Sequence, residues 1–293
     1  MTPSTTDRRG FLQVTGGAAA AGLLGASRAG AAEGRARVVL VRRREVLDAG
    51  GSVSGPVIHQ MLNDGVAALL GEKDARAAWR RIVAPPDVVG VKSNVWGPLR
   101  TPPELEEAIR DEVVRAGVRP EDVAVDDQGV RSNPVFQRMT ALVNVRPMRT
   151  HAWSGLGTCL KNVIMFADTP SDYHGDACAT LGAIWQKPPV AGKVRLNVLV
   201  MVTPQFHSVG PHSFAKELTW PYFGLLVGLQ PVPVDATGAR IIQAKRLQKL
   251  GANRPISPSP HHIEIAGSRY GLGPSDPAAI DLVRLGLAAD ALV

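Results

Sequence analysis

Cysteine is nearly absent from this 293-residue chain, which has only Cys159 and Cys178. Two thiols are too few to ligate an iron–sulfur cluster, and their spacing matches no zinc ribbon. Aromatic residues make up 5% of the chain, while the hydrophobic share, 45%, is ordinary. That balance indicates neither a disordered polymer nor a coiled coil. Acidic residues are outnumbered, 26 against 33 Lys and Arg, for a net charge of +7. The excess is scattered apart from Arg42-Arg43-Arg44, and no nucleic-acid motif accompanies it, so nucleic acid is not an expected partner. No internal repeat is present, and the N-terminal apolar run is too short and interrupted for a stable membrane span. Gly155-Leu156-Gly157 lacks the third glycine of a dinucleotide fingerprint, although a helix starting there would offer its N-terminus to an anion. The chain is long enough to bury a large core, as one large domain or two closely packed lobes.

The first 32 residues are set apart from the rest. Arg8-Arg9 precedes Phe11-Leu12, a weakly apolar Gly/Ala-rich run extends from Val14 to Ala26, and Ala29-Gly30-Ala31-Ala32 offers small residues for cleavage. This order resembles a bacterial twin-arginine (Tat) export signal. The resemblance implies the Tat translocase as a partner during export, a periplasmic or secreted location, and a mature single domain spanning 33–293. In an oxidising compartment Cys159 and Cys178 either form one disulfide, stabilising by ~3 kcal/mol, or remain two small buried hydrophobes.

Periodicity then alternates between strand and helix. Strands are expected at Arg37–Val41, Val88–Lys92, Asp122–Val125, Leu142–Val145 and Lys193–Val202. Helices are expected at Pro56–Leu70, Asp74–Val83, from the Thr101-Pro102-Pro103-Glu104 capping signal to Ala116, at Asn133–Ala141 and at Val234–Leu250. Tyr222–Leu229 reads equally as strand or buried helix. His261 and His262 are adjacent, so on a strand only one imidazole could face a site, and a last helix is expected near Asp276. The pattern argues for an α/β fold: a mostly parallel sheet with flanking helices in three layers.

In such sheets ligands bind beyond the carboxyl ends of strands. Polar residues gather at those positions: Lys92 and Asn94, Asp126 and Asp127, His151, then His207 and His212. Between the third and fourth groups lies Leu160 to Ala167, LKNVIMFA, an apolar run interrupted by Lys161 and Asn162. A lysine there either lifts its ammonium to the surface along its stem or sits in a site with a partner. The expectation is the second, with Lys161 paired to Asp126, Asp127, Asp235 or a bound anion.

Val91-Lys92-Ser93-Asn94, VAVDDQG over 124–129 with its preceding valine, His151 through Lys161-Asn162, and Gln230-Pro231-Val232-Pro233-Val234-Asp235-Ala236 follow one another in an order that resembles the bacterial "domain of unknown function 362" family, best over residues 85–250. Ser93, Gln128, Gln230 and Pro233 depart from the family's usual residues, and the cysteine-rich segment of some members is missing. The resemblance implies an α/β fold and adds Asp235 to the candidate site. Lys161, His151 and Lys92 are then the candidate catalytic residues. Asn94, Asn162, Asp126, Asp127 and Asp235 are candidate ligand-binding residues, and His207 with His212 a candidate site for a divalent metal. The expected function is an isomerase, a lyase or a metal-assisted hydrolase acting on a small anionic substrate. The alternative is a non-catalytic periplasmic protein that holds a metal or an anion.

Overall fold

The computed structural model describes residues 34–208, 214–251 and 254–293; Arg8, Arg9 and His212 lie outside them. One eight-stranded sheet forms the centre. In chain order its strands are β1 (Ala36–Arg42), β2 (Val89–Lys92), β3 (Val123–Asp126), β4 (Ala141–His151), β5 (Gly155–Gly157), β6 (Val194–Gln205), β7 (Gly224–Gly228) and β8 (Ile280–Gly286). Across the sheet they run β3-β2-β4-β6-β7-β1-β8, and β5 folds back on the end of β4. The pairs β2–β3, β2–β4, β4–β6 and β1–β8 are parallel, whereas β7 is antiparallel to both its neighbours.

The helices are α1 (Gly55–Leu70), α2 (Ala75–Ile82), α3 (Pro103–Arg115), α4 (Pro134–Arg138), α5 (Cys159–Asn162), α6 (Gly175–Cys178), α7 (Pro231–Leu250) and α8 (His262–Tyr270). Central strands with helices on both sides must be apolar on both faces, and these are. Val39, Val91 and Val143 share one core with Ile58, Trp79 and Ile109 of α1–α3. Leu40, Leu142 and Leu199 share the other with Leu160, Ile241 and Ile263 of α5, α7 and α8. Each such side chain contributes about 1.5–3 kcal/mol by leaving water. The three expected layers are therefore present. The first two turns of α7, Pro231–Gly238, are buried. A methyl group on Gly238 would lie 2.6 Å from Leu199, so this glycine lets the helix press onto the sheet and carries Asp235 into the interior.

Several local expectations are corrected. β4 does not stop at Val145: it continues through Arg146 and Arg149 to His151, because every one of its eleven residues is buried. Tyr222–Leu229 contains strand β7. His262 opens helix α8 rather than lying in a strand. Beyond Asp276 the chain makes a short 3-10 turn and then β8, because Ile280–Gly286 finds an open parallel edge beside β1. Thr101 does not cap α3, whose N-cap is Pro102. Its hydroxyl instead accepts from the amide of Asn94 at 3.2 Å, closing the loop after β2.

Candidate functional site

The polar interior runs from the end of β2 and the first halves of β4 and β6 to the end of β4, against the start of α5. Its lower half is a chain of amides. Asn162 Nδ2 lies 2.8 Å from Asn144 Oδ1, 3.1 Å from the Val145 carbonyl and 3.1 Å from the Lys92 carbonyl. Asn144 donates to the Cys159 carbonyl at 3.0 Å and to Asn197 Oδ1 at 2.9 Å, and Asn197 donates to the Leu229 carbonyl at 3.0 Å. These fully buried amides tie β2, β4 and β6 to α5, and leaving any of their partners unsatisfied would cost about 1–3 kcal/mol.

Lys92 belongs to this half. Its ammonium is fully buried, ion-paired with Asp127, and donates to the Ser93 carbonyl at 2.6 Å. The second Asp127 oxygen accepts from the Val95 amide at 2.9 Å. Burial pulls the Lys92 pKa down to about 8 against the attraction of Asp127. Asp235, also fully buried, accepts from the amides of Cys159 and Leu160 at 2.9 and 2.8 Å. Burial raises its carboxyl to about 6 against those amides. The anion expected at the start of α5 is thus the protein's own Asp235, in the position where free amides and the helix dipole favour negative charge.

Above this layer the composition changes sign. Arg146, Arg149 and Lys161 are each 3% exposed. Both Nη atoms of Arg149 donate to Asn94 Oδ1 at 3.1 Å, and its guanidinium lies 4.4 Å from the centre of the Trp96 ring. The Nε atoms of Arg146 and Arg149 have no hydrogen-bond partner among the described residues. Gly157 makes room for Arg146: a methyl group there would lie 2.6 Å from its Nη2. Lys161 donates to Cys178 Sγ at 3.6 Å and sits 5.9 Å from the centre of the partly exposed Trp153 ring. No carboxylate lies within ion-pair distance of Lys161 among the described residues. Burial, with repulsion from Arg146 and Arg149, lowers its pKa to about 8, while Cys178 acts in the opposite sense. The expected carboxylate partner of Lys161 is therefore replaced by a thiol, because Asp127 and Asp235 are already engaged and Asp126 is bound elsewhere.

Two histidines complete the upper half. His151 is buried, and its Nδ1 accepts from the Trp153 amide at 3.2 Å, which leaves the ring proton on Nε2. Burial and the charges of Lys161, Arg146 and Arg149 hold its pKa far below the ordinary range, so the imidazole is neutral. His262 is fully buried with neither ring nitrogen partnered among the described residues. Burial, Lys161 and Arg146 push it down to about 3. His261, its neighbour, is half-buried and bonds the Asp176 carbonyl at 2.8 Å.

The structure thus brings together Lys92, Asn94, Asp127, His151, Lys161, Asn162 and Asp235. It leaves out Asp126, which accepts from the Gly129 amide at 2.8 Å and Asn133 Nδ2 at 3.0 Å as an ordinary turn cap. His207 is bonded through Nδ1 to Arg246 at 2.8 Å. Among the described residues no three His, Cys, Asp or Glu side chains form a group able to hold a metal ion. The two cysteines are free and buried, not disulfide-bonded. Arg146 and Arg149 were not expected from the sequence, and of the adjacent pair His261-His262 it is His262 that turns inward. The signal for the arginines was the R-P-M-R run ahead of His151, visible once β4 is taken as one long buried strand.

Fold and site define an α/β protein with a cation-rich polar interior at its strand ends. No protein-family model, curated protein or solved structure matches the chain.

Proposed function

We propose that this chain is an exported enzyme of the isomerase or lyase type that acts on a small anion held by Arg146, Arg149 and Lys161. One observation carries the reading: three buried cations lie close enough to disfavour one another's charge, none of them has a carboxylate ion-pair partner among the described residues, and Asp127 and Asp235 already have partners. Buried charge without compensation is costly, and two unpartnered guanidinium Nε atoms add to that cost. An anionic ligand removes both penalties, and guanidinium forks suit carboxylate or phosphate oxygens. Neutral His151, with its Nε2 proton, is the candidate to donate to the bound anion's reacting oxygen. Burial of the whole cluster also favours the second reading, a binding protein that retains its anion without turnover. The Asp126 carboxylate and His207 Nδ1 are engaged in the chain's own contacts, which favours direct acid–base chemistry over a metal-assisted route.

The test is thermal unfolding with acetate, phosphate or malonate added at constant ionic strength. Saturable stabilisation by one of them over chloride, lost in Arg146→Met, is the expected result. Equal melting in every anion would overturn the reading. Export through the Tat translocase, and membership of the family resembled, belong to the same proposal. Replacing Arg8 and Arg9 by lysine should retain precursor in the cell, and normal appearance of mature protein outside would remove the export assignment.

A further inference from the structure

A buried lysine becomes a nucleophile when its amine is unprotonated for part of the time, free of a carboxylate, and close to a site for the substrate's charge. The two buried lysines differ on the second condition. Lys92 is locked to Asp127 and to a backbone carbonyl. Lys161 has a thiol as its hydrogen-bond acceptor, and Arg146 and Arg149 lie close enough to disfavour its positive charge. Those same arginines hold unpartnered donors, and fully buried His262, with both ring nitrogens unpartnered, feels the charges of Lys161 and Arg146. The segment that delivers Cys178 to Lys161 is also held in an unusual conformation. Asp176, Ala177 and Cys178 have φ values of 46, 48 and 67°, three successive non-glycine residues in the left-handed region. Such backbone persists where the surroundings impose it.

We infer that Lys161 forms a Schiff base with a small keto acid whose carboxylate is held by Arg146 and Arg149. This rests on the anion-binding reading and deepens it by naming the ligand's second functional group, a carbonyl. The amine lone pair of Lys161 adds to the carbonyl carbon, and the C–O double bond opens onto the oxygen, which takes up a proton. The resulting hydroxyl then leaves as water, one of whose hydrogens came from the amine and the other from the proton taken up. The product is an iminium ion, one positive charge beside one carboxylate. Cys178, hydrogen-bonded to Nζ at 3.6 Å, is placed to exchange the amine's proton. A lowered lysine pKa near 8 leaves a useful fraction of free amine at neutral pH, unlike an exposed lysine near 10.4. The iminium withdraws electrons from the neighbouring carbon–carbon and carbon–hydrogen bonds, which is the chemistry a lyase or isomerase needs.

The experiment uses the mature protein with pyruvate, acetoacetate or acetone, each followed by borohydride reduction, intact mass measurement and peptide mapping. One reduced adduct per chain on Lys161 is expected with pyruvate or acetoacetate, and which of the two labels faster assigns an α- or β-keto acid. Acetone lacks the carboxylate and should label about tenfold less, the worth of one charge-assisted contact. Phosphate should compete with labelling, and Lys161→Met should abolish it. Because mapping is done on the unsubstituted protein, the result does not depend on any variant folding. Thermal shifts with acetate and phosphate, run on the same samples, separate the two readings. Anion stabilisation without an adduct on Lys161 overturns the Schiff base alone. Absence of both overturns the anion site as well. Labelling by acetone equal to that by pyruvate, or spread over exposed lysines, also overturns the proposal.

Discussion

Lys92 and Lys161 are buried to nearly the same degree, 0% and 3% exposed, and both are held near pKa 8 by loss of water. Their neighbours are of opposite kinds. Around Lys92 every polar group is answered: Asp127 takes the charge, backbone carbonyls and amides take the rest, and the asparagines Asn144, Asn162 and Asn197 close the network. Around Lys161 the acceptor is a thiol, Arg146 and Arg149 repel its charge, and several donors have no partner among the described residues. A satisfied buried pair holds a structure together, and removing one partner exposes the full desolvation penalty of the other. A buried cation among cations is unfavourable in the empty protein and persists where a ligand compensates it. One region therefore supports the fold, and the other is organised for something the fold does not supply.

The largest test of this contrast is Lys92→Met. It leaves the Asp127 carboxylate buried and unpaired, and should reduce stability by about 3–5 kcal/mol in urea unfolding. Substituting Asp127→Leu in the same chain should restore most of the loss, because the pair is then replaced by packing. A loss under about 1 kcal/mol for the single variant would remove the distinction between the two lysines.

Asn162→Leu comes next. It deprives the Asn144 oxygen and two backbone carbonyls of their common donor, and about 2–3 kcal/mol should be lost in the same measurement. An unchanged midpoint would mean that the amide network does not hold α5 to the strand ends.

Lys161→Met should move stability the other way, by about 1–2 kcal/mol at pH 7. The sign follows from titration. The folded-state pKa near 8 lies below the ordinary value of 10.5, so folding favours the neutral amine. The contribution of Lys161 to stability is then fully present above pH 10.5 and lost as pH falls through 8. The advantage of the methionine variant should therefore be largest at pH 7 and shrink steadily toward pH 10. A gain independent of pH would assign it to packing rather than to charge.

The smallest effect concerns the thiols. Titration of the unfolded protein should find both Cys159 and Cys178 free, and in the folded protein both should react slowly, since both are buried and burial raises both thiol pKa values. An absence of free thiols would place a disulfide beside Lys161 and remove its hydrogen-bond acceptor.

Much of the fold was legible because its causes are local. Val38 to Val41, Val89 to Val91 and the apolar spacing of α1 record burial directly in residue order. The misread segments are those where a distant partner decided the outcome. Ile280–Gly286 became a strand because β1 offered it an edge, and Thr101 turned from capping a helix to closing a loop on Asn94. Asp126 and Asp127 are adjacent in sequence, but one caps its own turn and the other answers Lys92.

By itself, then, the sequence determined the alternation of strands and helices, the layering it implies, and the presence of Lys161 and Asn162 within an interior segment. These follow from hydrophobic periodicity, a property read over a few neighbouring residues. Only the tertiary structure decided which polar groups found partners. Lys92 meets Asp127 across 35 residues, and the amide of Cys159 meets Asp235 across 76. Once those two carboxylates were engaged, Arg146, Arg149 and Lys161 were left to face one another. Charge compensation in a protein interior depends on distance in space, and no pattern along the chain encodes it.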